Sequence, residues 1–427
     1  MIKNLIILIA LLITIPVAEA QQSPPRILAM DQLIDSAMMH FPISEKKALI
    51  QQSRDMKVEN IRSTYLPSAL LNGQASYQSD VTKINVPIPG FSAPQIAKDW
   101  YKLNLDISQM IYDGGYTRVM SEVEQKDMRM QTTEVEQAEQ EWRDKVAKLY
   151  FRALTFGEQM KVIRLLMNNL DLTVTQLASS QKSGVVLQSD VDAVKAEKLN
   201  YQQQQAELSA GYTATLSMLS VFCGFSITGE DSLLVPEFAG YESVYTNHRK
   251  EDEYFVLATD KLSSIRKLET VNRRPKISAF GQYGYGRPGY NMLDDGFGDY
   301  YMVGLRLNYK IWDWKNAQRN RQLIDIQQSM LALGREQYQQ QHKASWEAQV
   351  AEIDKFDLLI QYDNQILSLQ KSVIETAYSR MKNGMITTTA YLIELSKHAK
   401  SLLDLETHKI RQINARYDLK YITGNHE

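Results

Sequence analysis

Cysteine is almost missing from this chain. Of 427 residues only Cys223 is one, so no disulfide can form within the chain, and a lone thiol far from the N-terminus gives no support to lipid attachment there. Proline is scarce and segregated: all eleven residues fall at or before Pro94, at Pro236, or at Pro275 and Pro288. Proline inside a helix costs ~3 kcal/mol, so the proline-free stretches 95–235 and 289–427 can carry very long helices. An excess of one charge is lacking too, with 48 Lys and Arg against 50 Asp and Glu and a net charge of −2. That balance excludes both a basic nucleic-acid footprint and an acidic disordered tail. Six histidines (His40, His248, His342, His398, His408 and His426) include no i,i+4 pair and have no cysteine partner. No metal, cofactor or catalytic constellation follows, no phosphate-binding glycine loop is present, and the expectation is a protein that is not an enzyme. Seventeen methionines read as adaptable packing before they read as soft-metal ligands.

Beyond the N-terminus no segment is apolar enough for a transmembrane helix. Residues 1–20 are different: Lys3, an apolar run from Leu5 to Val17, and Ala18-Glu19-Ala20 before Gln21. That is a secretory signal peptide with a small-x-small cleavage site, and its apolar run is shorter than the ~20 residues of a retained anchor. The exported protein is therefore soluble, or it enters a membrane as strands.

What the chain has in plenty is internal repetition. Ile111-Tyr112-Asp113-Gly114 through Phe222-Cys223-Gly224 answers Ile311-Trp312-Asp313-Trp314 through Ile422-Thr423-Gly424 at a constant offset of 200. Upstream, Pro67, Gly73, Gln74 and Tyr77 answer Pro275, Gly281, Gln282 and Tyr285 at an offset of 208. The eight-residue slip falls in the loop between residues 78 and 100. Repetition on this scale predicts two copies of one structural unit: residues 21–224 and 242–427, joined by a linker at 225–241.

Each copy divides in the same way. From Tyr116 to Ser183, apolar residues recur in steps of three and four (Val135, Ala138, Trp142, Val146, Leu149, Ala153, Phe156), and Leu323, Ile326, Met330 and Leu333 do the same in the second copy. This periodicity predicts amphipathic helices, and about 68 residues at 1.5 Å each would reach roughly 100 Å. Lys182-Ser183-Gly184-Val185 and Lys382-Asn383-Gly384-Met385 carry helix-stop signals. Ser189-Asp190 and Thr388-Thr389 offer caps for return helices that run to about residues 222 and 422. The shorter return helices would be extended by helical segments at Ala29–Tyr65 and about Tyr245–Asn272. In the linker, SITGEDSLLVPEFAGY has turn signals and room for a short strand.

Four short segments change period. Leu71, Gly73, Ala75 and Tyr77 alternate with polar neighbours, as do Leu103, Leu105 and Ile107; in the second copy Ile277 to Tyr285 and Leu305, Leu307, Tyr309 and Ile311 repeat the pattern. Period two predicts strands with one apolar and one polar face, in β-hairpins at about 68–112 and 275–312. Aromatic residues crowd the strand ends (Tyr65, Tyr77, Trp100, Tyr101, Tyr112, Tyr290, Tyr300, Tyr301, Trp312, Trp314), as in the girdles of a transmembrane barrel. Four strands cannot close one, and an open edge in lipid leaves backbone groups unsatisfied. Two chains would give eight strands, nearly filled by their own side chains, whereas three would give twelve and a lumen.

His40-Phe41-Pro42 before a helix, Tyr65-Leu66-Pro67-Ser68 entering a strand, Ser108-Gln109-Met110-Ile111-Tyr112-Asp113-Gly114-Gly115 leaving one, and Ser183-Gly184-Val185 at a hairpin resemble the TolC-like outer-membrane efflux proteins over nearly the whole mature chain. The resemblance implies a mainly α fold with a transmembrane β-barrel: a homotrimer with a twelve-stranded barrel in outer-membrane lipid and an α-helical barrel in the periplasm of a Gram-negative bacterium. It implies docking to a periplasmic adaptor and an inner-membrane pump in a tripartite efflux or type I secretion system, with no nucleic acid involved. Adaptor contact would fall on the tips, Ser183, Gly184, Val185 and Val186 with Asn383, Gly384, Met385 and Ile386. Some members carry acidic rings six and nine residues after the second glycine, but Ala390 and Ile393 stand there. Asp190, Asp192 or Glu394 are the candidates for a constriction instead. The expected lipid-facing residues are Leu71, Tyr77, Leu103, Leu105, Ile107, Tyr283, Tyr285, Leu305, Leu307 and Tyr309. A periplasmic coiled-coil protein without a pore is the alternative; it accounts for the long helices but not for the four alternating segments.

Overall fold

The computed structural model describes residues 26–82, 96–237, 244–292 and 294–424. The expected signal peptide, most of the loop between 78 and 100, and the end of the 225–241 linker lie outside them. Helices dominate: α1 (Met30–Met39), α2 (Lys46–Ser63), α3 (Tyr116–Lys182), α4 (Gln188–Cys223), α5 (Lys250–Val271), α6 (Asn316–Lys382) and α7 (Thr388–Thr423). The strands are β1 (Ile27–Leu28), β2 (Ser68–Tyr77), β3 (Asp99–Tyr112), β4 (Ser232–Leu233), β5 (Lys276–Arg287) and β6 (Gly298–Asn308). The long helices α3 and α6 each span 67 residues and their return partners α4 and α7 each span 36.

The chain forms two compact units, and they are not the two repeats. One comprises Met1–Phe41, Glu141–Val244 and Glu347–Tyr421; the other comprises Pro42–Gln140, Tyr245–Trp346 and Ile422–Glu427. Each unit draws on both copies, because a half-apolar helix can bury its stripe only against other helices.

Within the first unit, one core gathers Leu33, Ala37, Val146, Tyr150, Leu216, Leu219, Cys223 and Tyr417. Phe41, Trp142 and Phe222 stack at 4.5 Å between successive ring centroids. Strands β1 and β4 pair in parallel, Ile27 with Ser232 and Leu28 with Leu233. Arg26 fastens that pair, with Nε and Nη2 donating to the two oxygens of Asp231 at 3.0 Å each. The Tyr150 hydroxyl closes it from below, 2.9 Å from the Leu28 carbonyl oxygen and 2.5 Å from that of Leu234.

Within the second unit, α2 lies along α3, with Lys47 pairing to Glu139 at 2.8 Å and Lys57 to Glu124 at 3.1 Å. In the same unit α5 bonds to α6 through Arg335 and Asp252 at 2.6 Å. His342 is held on both nitrogens, Nε2 2.7 Å from the Ile422 carbonyl oxygen and Nδ1 2.8 Å from the Tyr245 hydroxyl. Nε2 must donate to the carbonyl, so in neutral His342 Nδ1 accepts from Tyr245.

The helix starts differ from expectation. Leu187 and Thr387 flank α4 and α7, and neither Ser189 nor Thr389 caps them. Leu187 makes no side-chain cap bond, whereas Thr387 Oγ1 accepts from the Ala390 N–H at 3.1 Å. Asp190 is in the first turn of α4, where a carboxylate still favours the helix dipole.

Candidate functional site

Strands β2, β3, β5 and β6 form one antiparallel sheet in that order. Residues directly opposite in an antiparallel pair share a face, so the register sorts the side chains. Leu71 faces Leu105, and Gly73 faces Leu103; Leu103 and Leu105 face Tyr285 and Tyr283; Tyr283 faces Tyr301, and Ala279 and Ile277 face Leu305 and Leu307. One face is thus apolar through the middle of the sheet apart from Gln109, opposite Ala279, with Asp99, Arg287 and Asp299 falling on it only at the loop end, and it is bare: Leu71 is 65% exposed, Tyr77 76%, Leu305 72% and Leu307 66%. Leu103, Leu105, Ile107, Tyr283 and Tyr285 are exposed as well. Neither hydrophobic core cluster includes a residue of this sheet. In water such a face is an unpaid cost; each large side chain moved to an apolar surrounding gains ~1.5–3 kcal/mol.

The opposite face holds most of the polar side chains, with Leu70, Met110, Phe280 and Met302 among them, and it is internally bonded. Asp106 accepts from Asn72 Nδ2 and from Gln282 Nε2, both at 2.6 Å, and Gln282 Oε1 accepts from the Tyr290 hydroxyl at 2.8 Å. The Tyr300 hydroxyl donates to Asn104 Oδ1 at 2.5 Å. Gly284 makes room for this contact, since a Cβ there would stand 2.4 Å from the Tyr300 ring. The arrangement is a soluble sheet turned inside out.

Aromatic residues bracket the apolar face. At the loop end Phe297 stacks between Tyr101 and Tyr285, at 6.1 and 5.9 Å; at the helix end Trp312 meets Trp314 edge-on at 5.8 Å. Between Met110 and Tyr112 the register slips, so that Tyr112 faces Ile277 on the apolar side. The bulge turns an even-numbered residue onto the odd-numbered face, which simple alternation did not reveal. At ~3.4 Å per residue and the ~40° tilt of barrel strands, Tyr101 and Tyr112 would stand roughly 30 Å apart along the axis of a barrel, close to an outer-membrane apolar band.

One residue expected in this set falls outside it. Tyr309 lies just beyond β6, which ends at Asn308 opposite Lys276, the first residue of β5. The matching segment of β3 continues to Tyr112 because it still has β5 beside it. β6 has no neighbour on its other side, and β2 none on its own.

The two helical hairpin ends belong to the other unit. Gly184 and Gly384 adopt φ of +70° and +69°. Val185 N–H donates to the Ser180 carbonyl at 3.1 Å and Gly184 N–H to that of Gln181 at 2.9 Å. Met385 and Gly384 repeat the pair onto Arg380 and Met381 at 2.8 and 3.0 Å. This double bond is the Schellman stop, and glycine takes the left-handed position without strain. Ser183 and Asn383 are exposed beside them. Val186 and Ile386 turn inward onto a core of Leu177, Val191, Val194, Tyr391 and Leu395 that joins the two hairpins, while Val185 and Met385 are 76% and 69% exposed.

Two of the three acidic candidates are paired within their own helix. Asp192 accepts from Gln188 at 2.9 Å and lies 3.9 Å from Lys195; Glu394 pairs with Lys397 at 2.7 Å. Among the described residues no hydrogen bond or ion pair links Asp190, Asp192 and Glu394. Nor is any group of three or more His, Cys, Asp or Glu side chains among them placed to hold a metal ion. Among the described residues no helix is long and apolar enough to cross a membrane.

An exposed apolar sheet with aromatic rims, on a scaffold of long helices, defines a protein that enters its membrane through strands. Residues 45–224 match the family model described as outer membrane efflux protein. Among solved structures, the outer membrane protein VceC from Vibrio cholerae is similar at 14% identity, covering 92% of this chain and 96% of that one, with a TM-score of 0.70. The Campylobacter jejuni CmeC outer membrane channel is 14% identical over 92% and 85% of the two chains at 0.69. The open Neisseria gonorrhoeae MtrE outer membrane channel is 15% identical over 92% and 88% at 0.68. At such identities the likeness concerns the fold. No curated protein matches the sequence. Residues 45–224 thus resemble the outer membrane efflux proteins, and the chain as a whole shares the fold of these outer-membrane channels.

Proposed function

We propose that the chain is the exit duct of a tripartite efflux or type I secretion system. Three copies join their four-stranded sheets into a twelve-stranded barrel, through which solute passes passively while a pump supplies the energy. The observation that carries this reading is the inside-out sheet with two unpartnered edges. Its apolar face requires lipid, its polar face requires water, and edges β2 and β6 require each other from neighbouring chains, since no backbone group can stay unsatisfied in hydrocarbon. Twelve strands leave a lumen that eight would fill. Under the same reading Leu71, Tyr77, Leu103, Leu105, Ile107, Tyr283, Tyr285, Leu305 and Leu307 face lipid.

The hairpin ends are where a periplasmic adaptor would dock. Val185 and Met385 offer exposed apolar side chains at equivalent places, beside backbone turns that Gly184 and Gly384 hold rigid. Asp190, Asp192 and Glu394 remain candidates for a constriction formed only when copies assemble. Outer-membrane fractionation, followed by single-channel recording of the purified oligomer, tests the duct. Discrete conductance from a membrane-extracted oligomer is expected; a soluble periplasmic protein that forms no pores would leave only the coiled-coil alternative.

A further inference from the structure

The polar face of the sheet carries charge of mainly one sign. Lys102 stands opposite Gln74 and Gly286, Asp106 opposite Gln282, and Arg306 opposite Ser278, two residues from Lys276. All four belong to the face that holds the hydrogen-bonded network, and no other Asp, Glu, Lys or Arg of these strands does. The three cations rest on aromatic rings. Lys102 Nζ lies 5.2 Å from the Trp100 ring centroid, Lys276 Nζ 5.0 Å from that of Tyr116, and Arg306 Cζ 5.1 Å from that of Phe280. A ring face holds a cation without cancelling its charge. The single carboxylate is engaged instead, with one oxygen taken by Asn72 and the other by Gln282.

The positions are also ordered along the strands. Lys276 and Arg306 mark the end that leads into the helices. Lys102, opposite Gly286, is ten residues away along β5, roughly 34 Å at ~3.4 Å per residue. Asp106 falls between them. Any solute moving along this face therefore meets positive charge on entering and on leaving.

We infer that this face is an anion-favouring lumen wall, with Lys276 and Arg306 at the helix-side mouth and Lys102 at the far mouth, so that the duct admits anionic solutes more readily than cationic ones. The inference rests on the duct reading. Charged side chains ringing a pore set its ion preference, and low-dielectric walls focus their field. Each chain supplies three cations against one carboxylate, and assembly multiplies the excess.

The test is reversal potential across a KCl gradient with the purified protein in planar bilayers, at salt near 0.1 M, where the Debye length is ~10 Å. Wild type should show a chloride-to-potassium permeability ratio above one, falling toward one as salt approaches 1 M and screening shortens to ~3 Å. The combined substitution Lys102→Glu with Arg306→Glu should bring the ratio below one. Lys102→Gln should lower it less, and Asp106→Asn should raise it. A wild-type preference for potassium, or a ratio that none of these variants moves, overturns the inference while leaving the duct intact. Failure to form pores at all overturns the duct reading and this inference with it.

Discussion

Asp113 stands where β3 ends and the 67-residue α3 begins, and its loss should be felt more than that of its counterpart Asp313. Its side chain is almost fully buried, at 4% exposure. One carboxylate oxygen accepts from the Gly115 N–H and the other from the Thr117 N–H, both at 2.7 Å. Burial alone would raise its pKa, but hydrogen bonds from Thr117, the Tyr65 hydroxyl and the Gly115 N–H outweigh burial and hold it at about 2. Against the ordinary value of 3.8, that shift corresponds to about 2 kcal/mol at ~1.4 kcal/mol per pH unit. Because the folded pKa is the lower one, this stability is fully present above about pH 4 and drains away as pH falls through about 2.

Asp113→Asn keeps the shape and removes the charge, so it should cost about 2 kcal/mol at pH 7, in line with the loss of an N-terminal cap or charge-assisted bond. Thermal unfolding of the purified protein followed by circular dichroism, at pH 7 and again near pH 2.5, reads the effect. The gap between wild type and variant should be several degrees at neutral pH and should shrink in acid. Asp313 has looser partners, the Ala317 N–H at 3.2 Å and Arg273 at 3.9 Å, so Asp313→Asn should shift the midpoint less. A gap that persists unchanged in acid, or an Asp313 variant that loses as much as the Asp113 one, would refute the argument.

Leu305→Arg with Leu307→Arg places two charges on the apolar face, each costing ~2–4 kcal/mol near the bilayer midplane; the double variant should vanish from the outer-membrane fraction, and normal oligomer there would contradict a lipid-facing β6. Gly384→Ala meets no atom within 4 Å, so its cost should be the left-handed backbone alone, ~1–2 kcal/mol. Gly384→Asn should recover part of that in the same thermal assay. Asp418 runs opposite to Asp113: burial, then the nearby charge of Asp144, raise its pKa to about 6. With the folded value now the higher one, stability falls as pH rises from about 4 to 6, so Asp418→Asn should stabilise the protein at pH 8, by ~1–3 kcal/mol at ~1.4 kcal/mol per unit. Unfolding midpoints of the pair at pH 4 and pH 8 would expose an error as an equal difference at both.

The long helices and the sheet were legible because each obeys a local rule. Proline is excluded from 95–235 and 289–427, and the 3.6-residue apolar period there leaves no other way to bury Val146, Leu166 or Ile353. Period two at Leu103, Leu105 and Ile107 fixes a face whatever surrounds it, and the register places Tyr283, Tyr285, Leu305 and Leu307 on the same one. What alternation cannot carry is its own interruption. The bulge at Ile111 turns Tyr112 to the apolar side because β5 is beside β3 to pair with it, and Tyr309 leaves the strand because β5, its one neighbour, begins at Lys276 opposite Asn308. Strand ends are decided by neighbours, and the decisive neighbour of β3 lies more than 160 residues along the chain. The helix starts were misplaced for a smaller reason, since the return helices begin at Gln188 and Thr388, ahead of Ser189 and Thr389.

The repeat itself says less about packing than about wall-building. An offset that stays at 200 from Asp113 to Gly224 reproduces helices of 67 and 36 residues in both copies, yet the compact units are cut across the copies and not between them. Each copy offers helices with an apolar stripe that is too narrow to close a core of its own. The core around Leu177, Val194, Tyr391 and Leu395 is completed by one hairpin from each copy. The sheet is completed in the same way, by β3 pairing with β5 across the repeat boundary. A unit built to be finished by its duplicate leaves complementary unfinished edges at its two ends, and β2 and β6 are those edges. The step that joins two copies within one chain is therefore the step that should join one chain to the next, and a cysteine ladder along β2 and β6, with Cys223 buried as the only background thiol, should cross-link between chains and not within one.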